Sequence, residues 1–152
     1  MKVTLTTREF LKEATWTTEI IDRWLDPNAR NWCAYEPEVG YRLKDCIDQD
    51  GFDGSYTISH YNPTGERRMV NFADRPCRIN TYGDSFTQCI QVSDGESWQE
   101  YLAAHFGEPI RNYGVGSMGF YQAYRRMLKE ERTSLSAPNI ILNVFSDDHY
   151  RS

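Results

Sequence analysis

One serine lies where its hydroxyl can act as a nucleophile. Residues 78–82 have the pattern of a short strand, and Gly83-Asp84-Ser85 leads from it towards a helix. Glycine permits a tight turn that other residues resist. A serine at a helix start has its oxygen near unbonded backbone N–H groups, which stabilise an oxyanion. The stretch therefore predicts that Ser85 is the nucleophile of an acyl-transfer reaction.

The elements that must position Ser85 alternate between strand and helix from residue 76 onward. Residues 109–115 and 139–145 are predicted to be further strands, and the second of these runs is almost continuously apolar, as in a parallel strand covered on both faces. Apolar stripes predict helices before each of them, over residues 98–106 and 120–128. The β-α-β-α-β order predicts an open parallel sheet with right-handed crossovers and helices on its faces.

Three polar or glycine-rich clusters follow these strands. They are Gly83-Asp84-Ser85, the loop over residues 114–119, and Ser146-Asp147-Asp148-His149. Ligands of open parallel sheets bind beyond the carboxyl ends of the strands, so the clusters are expected to face one crevice.

Residues 1–75 have a different pattern and are predicted to form an N-terminal extension to a domain over residues 76–152. Thr6 and Glu9 form a capping-box pattern that predicts a helix over residues 6–14, and an apolar stripe predicts a second helix ending near Leu25. Alternating segments over residues 41–44, 56–61 and 68–72, separated by turn residues, predict a small antiparallel meander.

Composition excludes several function classes. The 152 residues have a net charge of -5 with interspersed charges, which does not favour nucleic-acid binding. No apolar run is long enough for a membrane span, and the N-terminus lacks a signal-peptide core, so a cytoplasmic protein is expected. The four cysteines are widely spaced, which predicts free thiols and no zinc site. No cofactor or metal is predicted.

The three clusters also resemble a known family. Gly83-Asp84-Ser85-Phe86-Thr87, the segment Asn112–Gly119 with Gln122-Ala123, and Ser146-Asp147-Asp148 are similar, in order and spacing, to the first three blocks of SGNH/GDSL-type hydrolases. The resemblance begins near residue 77 and covers about half of the chain. It implies a flavodoxin-like three-layer α/β/α sandwich, incomplete here, and a metal-free serine enzyme that hydrolyses or transfers acyl groups on small-molecule, carbohydrate or lipid esters.

The resemblance assigns roles by position. Ser85 matches the nucleophile, with its own N–H as the first oxyanion donor, and Asp84 matches the motif aspartate, expected to be positional. Ser117 stands where the family has a donor glycine, and Asp147 where it has a donor asparagine. The Ser117 backbone N–H remains suited to this role. A carboxylate at position 147 accepts hydrogen bonds and repels an oxyanion.

The catalytic base is the part of the predicted site that the three matched blocks do not supply. The family carries it in a late Asp-x-x-His block, and no aspartate here has a histidine three residues later. With only three predicted core strands, this suggests the N-terminal part of a longer protein. His149 is the alternative base because it follows the third strand, and it also has the ordinary interpretation of a loop histidine.

Two further functions are compatible with parts of the pattern. A non-catalytic module on the same scaffold would recognise an acylated sugar through aromatic residues such as Tyr82, Phe86 and Tyr121. A nucleotide or flavin binder is disfavoured, because the loop after the first strand is no phosphate cradle and Asp84 would repel phosphate. A three-stranded sheet would also expose an apolar edge strand, which favours association with the missing portion or with another copy.

Overall fold

The computed structural model describes residues 15–26, 28–29, 31–49 and 53–151. The predicted helix over residues 6–14 lies outside the described residues. In chain order the elements are α1 (Thr18–Leu25), β1 (Cys33–Glu36), β2 (Gly40–Leu43), β3 (Cys46–Asp48), β4 (Thr57–Ser59), β5 (Ile79–Tyr82), α2 (Ser85–Gln88), α3 (Trp98–Phe106), β6 (Ile110–Asn112), α4 (Phe120–Glu130), β7 (Asn139–Leu142) and a 3₁₀ helix (Ser146–Arg151).

The first four strands form two small antiparallel sheets. Strand β1 pairs with β2, and β3 pairs with β4. The third predicted strand, over residues 68–72, does not form. Its backbone N–H groups at Val70 and Asn71 are instead bound by the carboxylate of Glu100, at 2.9 and 2.8 Å. A side chain from α3 thus satisfies donors that a strand ladder would otherwise use.

The three later strands form one parallel sheet in the order β6-β5-β7. The central strand β5 is covered on both faces. On one face, Gln99 of α3 donates to Thr81 Oγ1 at 3.1 Å. On the other, Tyr82 donates its hydroxyl proton to Glu131, at the end of α4, at 2.7 Å. The two helices therefore lie on opposite sides of the strand that leads to Ser85.

The expected flavodoxin-like three-layer sandwich is wrong. The protein is a small mixed α/β fold with one three-stranded parallel sheet and two short antiparallel sheets. Strand β7, expected to be covered on both faces, is an edge strand whose successive side chains Ile140 and Ile141 are 44% and 39% exposed. An apolar run indicates that a strand tends to be buried. It does not show whether the chain has helices that cover both faces of that strand.

The apolar core joins the antiparallel sheets to the glycine-rich loop after β6. Its buried members are Val39, Leu43, Tyr61, Val115 and Met118. Polar contacts cross the same boundary: Gln122 donates to Val39 O at 3.0 Å, and Lys129 pairs with Glu36 at 2.6 Å. The predicted division at residue 76 stays a prediction, and the two segments share this core.

Helix α1 packs through one aromatic side chain. Thr17 caps its N-terminus by accepting from Ile20 N at 3.4 Å. The ring of Trp24 lies edge-on to those of Trp16 and Tyr41, whereas Ile20 and Leu25 of the same predicted stripe are exposed. None of the described helices has the length and apolar character needed to cross a membrane.

Arg67 holds the antiparallel part against the parallel part. Its side chain is buried and donates five hydrogen bonds, which uses every guanidinium N–H. The acceptors are Asp94, Ser59 and the carbonyls of Gln88, Cys89 and Val92. Its backbone N–H also donates to Asn112 O at 2.9 Å, which occupies the outer edge of β6.

Replacing Arg67 should therefore be far more costly than replacing an exposed arginine. In Arg67→Met, buried carbonyls and the Asp94 carboxylate lose their donors, so the free energy of unfolding should fall by about 3–5 kcal/mol. Arg78→Met removes an exposed ion pair with Glu108 and should cost at most about 1 kcal/mol. Urea unfolding of both variants measures this difference, and equal losses would contradict the role given to Arg67.

Candidate functional site

Ser85 is the first residue of helix α2, directly after β5 and its Gly83-Asp84 turn. Asp84 is the helix N-cap, and its Oδ1 accepts from Phe86 N at 3.0 Å. The same oxygen accepts from Asn143 Nδ2 at 3.3 Å, which ties the turn to the segment after β7. Asp84 is 1% exposed, so it positions Ser85 and does not reach a ligand. Ser85 itself is half-buried.

The Gly83 turn is compact. A Cβ on Gly83 would lie 2.3 Å from Thr87 Oγ1 and 2.9 Å from Asn143 Cβ. Close approach therefore requires glycine at this position. Gly114 in the neighbouring loop must also be glycine, because a Cβ there would lie 2.3 Å from Gln88 N. The two loops pack backbone against backbone beside the nucleophile position.

Ser85 opens into a cavity of about 430 Å³. Its walls come from the antiparallel part, from α2 and the turn after it, and from the glycine-rich loop. The lining residues are Trp32, Leu43, Cys46, Asp48, Ser85, Gln88, Ile90, Gln91, Gly116 and Ser117. The sequence motifs thus meet a wall contributed by residues 32–48.

Two backbone N–H groups suit an oxyanion at this cavity. Neither the Ser85 nor the Ser117 N–H has a hydrogen-bond acceptor among the described residues. The Gly116 N–H, by contrast, is occupied by Gln88 Oε1, and Gln88 Nε2 donates in turn to Tyr61 Oη at 3.0 Å. This buried glutamine fixes the loop that carries Ser117. A Cβ on Gly116 would lie 3.7 Å from Ser85 Cβ, so the loop passes close to the serine.

Ser117 has left-handed backbone geometry. Its φ is 65°, a region that favours glycine, although the residue is serine and its side chain is exposed. The position thus has the conformation expected where the sequence resemblance has a glycine. Ser117 lines the cavity, and its side chain is accessible to solvent.

Asp147 does not join this group. It is exposed in the 3₁₀ helix after β7 and does not line the cavity. Asn143, which the sequence reasoning overlooked, instead contacts the Ser85 turn through Asp84. The only sequence signal for Asn143 is its position directly after the β7 run. The side chain of His149 lies outside what the structure describes.

The other two histidines have structural surroundings. His60 Nδ1 lies 2.6 Å from Asp94 Oδ2, in the network around Arg67. His105 is on α3, with its ring against Phe106. No described imidazole lines the Ser85 cavity. Tyr82 is 0% exposed and stacks on Tyr113, which excludes it from the ligand-binding role suggested by the sequence.

Cys46 shares the cavity but is a poor alternative nucleophile. Burial, together with a hydrogen bond to the nearby Asp48 carboxylate, raises the pKa of its thiol to about 12. The thiolate is the reactive form, so this thiol stays protonated near neutral pH. All four cysteines are unpaired, as predicted. In the part of the chain that the structure describes, no group of three His, Cys, Asp or Glu residues is arranged to hold a metal.

Sequence reasoning missed the cavity wall formed by Trp32, Asp48 and Gln88. The period-two pattern of Cys46 and Asp48, which puts both on one face of a strand, was an available signal. No protein-family model matches the chain, and comparison with curated proteins finds no match. The resemblance to SGNH/GDSL-type hydrolases therefore depends on the three motifs alone.

The strained φ of Ser117 gives a stability prediction. Ser117→Gly should raise the free energy of unfolding by about 0.5–1 kcal/mol, because relief of a left-handed φ exceeds the added entropy of the unfolded glycine. Ser117→Ala keeps the Cβ and should give no such gain. Chemical denaturation of both variants checks this, and a gain of similar size in the alanine variant would exclude strain as the cause.

Proposed function

We propose that this protein is a serine acyl hydrolase or acyltransferase that acts on ester-linked acyl groups, with Ser85 as the nucleophile. The observation that carries the proposal is Ser85 at the first position of a helix, half-buried and open to a cavity that also receives the loop of Ser117. The SGNH/GDSL-like motifs support the same chemistry. A small-molecule, carbohydrate or lipid ester fits the cavity volume.

In the proposed reaction, Ser85 Oγ attacks the ester carbonyl carbon. The carbonyl oxygen becomes an oxyanion that accepts hydrogen bonds from the Ser85 and Ser117 N–H groups, the kind of stabilisation that often dominates acyl-transfer catalysis. The ester C–O bond then breaks, the alcohol departs with a proton, and an acyl-serine remains. Water or another alcohol attacks this acyl-serine and regenerates Ser85.

The Ser85 hydroxyl must lose its proton during attack, and a serine without a base is a weak nucleophile. Among histidines, His149 is our candidate base, because it follows β7 at the edge of the sheet where Ser85 lies. Asp84 keeps the serine turn in place. Asp147 has no catalytic role in this proposal because it is exposed away from the cavity.

A non-catalytic acyl-group or carbohydrate-binding protein is the second candidate. It is favoured by one observation, the lack of any described imidazole along the cavity. If this candidate is right, wild type and Ser85→Ala should both bind an ester, and neither should hydrolyse it. Phe86 and Tyr121 remain exposed aromatics for such a role, whereas Tyr82 does not.

Covalent labelling separates the two candidates. A fluorophosphonate probe should label the wild-type protein at Ser85, and p-nitrophenyl acetate should be hydrolysed. Ser85→Ala should abolish labelling and lower kcat/KM at least about 100-fold. Ser134→Ala, an exposed serine outside the cavity, is the matched control and should behave as wild type.

His149→Ala should reduce turnover and leave the fold intact if His149 is the base. Labelling of Ser85 that persists unchanged in His149→Ala would remove the histidine from the mechanism without affecting the serine. Equal labelling and hydrolysis by wild type and Ser85→Ala would refute the proposed function.

We also propose that β7 is an association surface. The opposite edge of the parallel sheet is partly occupied by the bridge between Arg67 and Asn112. No described strand pairs with the outer edge of β7, and Ile140 and Ile141 in the strand and Val144 after it are exposed. Unpaired edges with apolar side chains tend to pair with another chain. A second copy of this chain would cover this edge.

This surface predicts concentration-dependent self-association. Ile141→Lys should shift the protein towards monomer, by about tenfold or more in dissociation constant, since lysine at an edge strand opposes pairing. Ile47→Lys on β3, an isoleucine of greater exposure, is the control and should leave association unchanged. Light scattering across a concentration series measures this. A wild-type protein that is monomeric at every concentration would contradict pairing between copies.

A further inference from the structure

Among the described residues that line the Ser85 cavity, one carries a carboxylate and none has a basic side chain. Asp48, the last residue of β3, is that acid. No lysine or arginine forms an ion pair with it among the described residues. Two cations of the antiparallel part have other partners: Lys44 donates to Ala29 O at 2.9 Å, and Arg67 pairs with Asp94 at 3.0 Å. Among the described residues, the Asp48 carboxylate at the cavity thus has no ion-pair partner.

An aromatic ring accompanies this charge. Trp32 lines the same cavity and is 52% exposed, so part of its indole surface is open to a ligand. Its ring is held edge-on by Tyr41, with centroids 5.5 Å apart at 79°. Tyr41 in turn donates its hydroxyl proton to Gly116 O at 2.5 Å. The indole is thus linked, through one side chain, to the loop that carries Ser117.

A carboxylate and an aromatic surface around one space have a common preferred ligand. A cation gains Coulomb attraction from the carboxylate and interacts with the negative face of the indole ring. Quaternary ammonium groups favour such surroundings, because they carry charge on an apolar surface and need few hydrogen bonds. An anionic ester would be repelled by Asp48. The apolar side chains of Leu43 and Ile90, which also line the cavity, can pack against the methyl groups of such a cation.

We propose that the substrate carries a positively charged ammonium group, bound by Asp48 and Trp32 in the cavity where Ser85 attacks the ester. This inference rests on the proposed function for its substrate role. The binding of the cation depends only on Asp48 and Trp32. The N-terminal part of the chain thus supplies substrate selection, and the Ser85 and Ser117 loops supply the reaction.

Acetylcholine and its neutral isostere 3,3-dimethylbutyl acetate test the charge preference. They share the acetyl ester and nearly the same shape, so they differ mainly in charge. Wild-type protein should hydrolyse acetylcholine with a kcat/KM about tenfold or more above that of the isostere. Asp48→Asn and Trp32→Leu should each reduce this ratio towards one, whereas Asp53→Asn, an exposed acid outside the cavity, should leave it unchanged.

Calorimetric binding to Ser85→Ala separates this inference from the proposed function. The variant should bind acetylcholine more tightly than the isostere, and adding Asp48→Asn should remove the difference. If that charge preference is present but wild type hydrolyses neither ester, the enzyme proposal fails and the cation site stands. If Ser85→Ala binds both probes equally, binds neither, or prefers the neutral probe, the cation site is overturned, whatever the hydrolytic activity.

Discussion

The buried guanidinium of Arg67 is the interaction on which the rest of this structure depends. A charge in the interior is costly unless its hydrogen-bonding groups are satisfied, and Arg67 satisfies all of them with fixed acceptors. Three of those acceptors are carbonyls of the last residue of the Ser85 helix and of the turn that follows it. One arginine thereby determines how the antiparallel sheets meet the turn beside the nucleophile.

The neighbouring contacts extend this attachment. Strand β4 is bound to the same region, because Ile58 N donates to Ser93 Oγ at 3.1 Å and Asp94 N donates to Ile58 O at 3.0 Å. Gln88 then connects Tyr61 with the Gly116 loop. Residues 32–48 consequently contribute to the wall of the cavity, and their side chains limit which ligands can approach Ser85.

The site combines tightly packed loops around Ser85 with a solvent-accessible residue, Ser117, and this arrangement suits the proposed acyl transfer. Close packing against Gly83 and Gly114 leaves little room for rearrangement around Ser85. Ser117, which lines the cavity, has an unfavourable φ, and its N–H has no acceptor among the described residues. Strain and unsatisfied donors of this kind are common where a protein binds a ligand. The apolar edge at β7 lies on the other side of β5 from β6.

Much of the parallel part was predictable because local periodicity determines it. The strand before Ser85, the helix that begins at Ser85, and helices α3 and α4 all follow from spacing of apolar residues and turn residues. The prediction for β7 gave the position of the strand correctly, but its expected burial on both faces was wrong, because burial depends on which other elements pack against the strand. The strand predicted over residues 68–72 was wrong for a related reason. The carboxylate of Glu100, about thirty residues away, binds the backbone N–H groups that were expected to pair with another strand.

The sequence by itself determined the position of Ser85, its Asp84 cap and the free state of the cysteines, because each depends on residues that are close in the chain or on composition. Only the tertiary structure decided that Ser117 adopts a left-handed φ, that Asp147 stays outside the cavity, and that Asp48 and Trp32 line it. These features arise from contacts between residues 21 to 75 positions apart, such as Tyr41 with Gly116 and Arg67 with Gln88 at the end of α2. Periodicity carries no information about such distant packing, so no local pattern could have specified it.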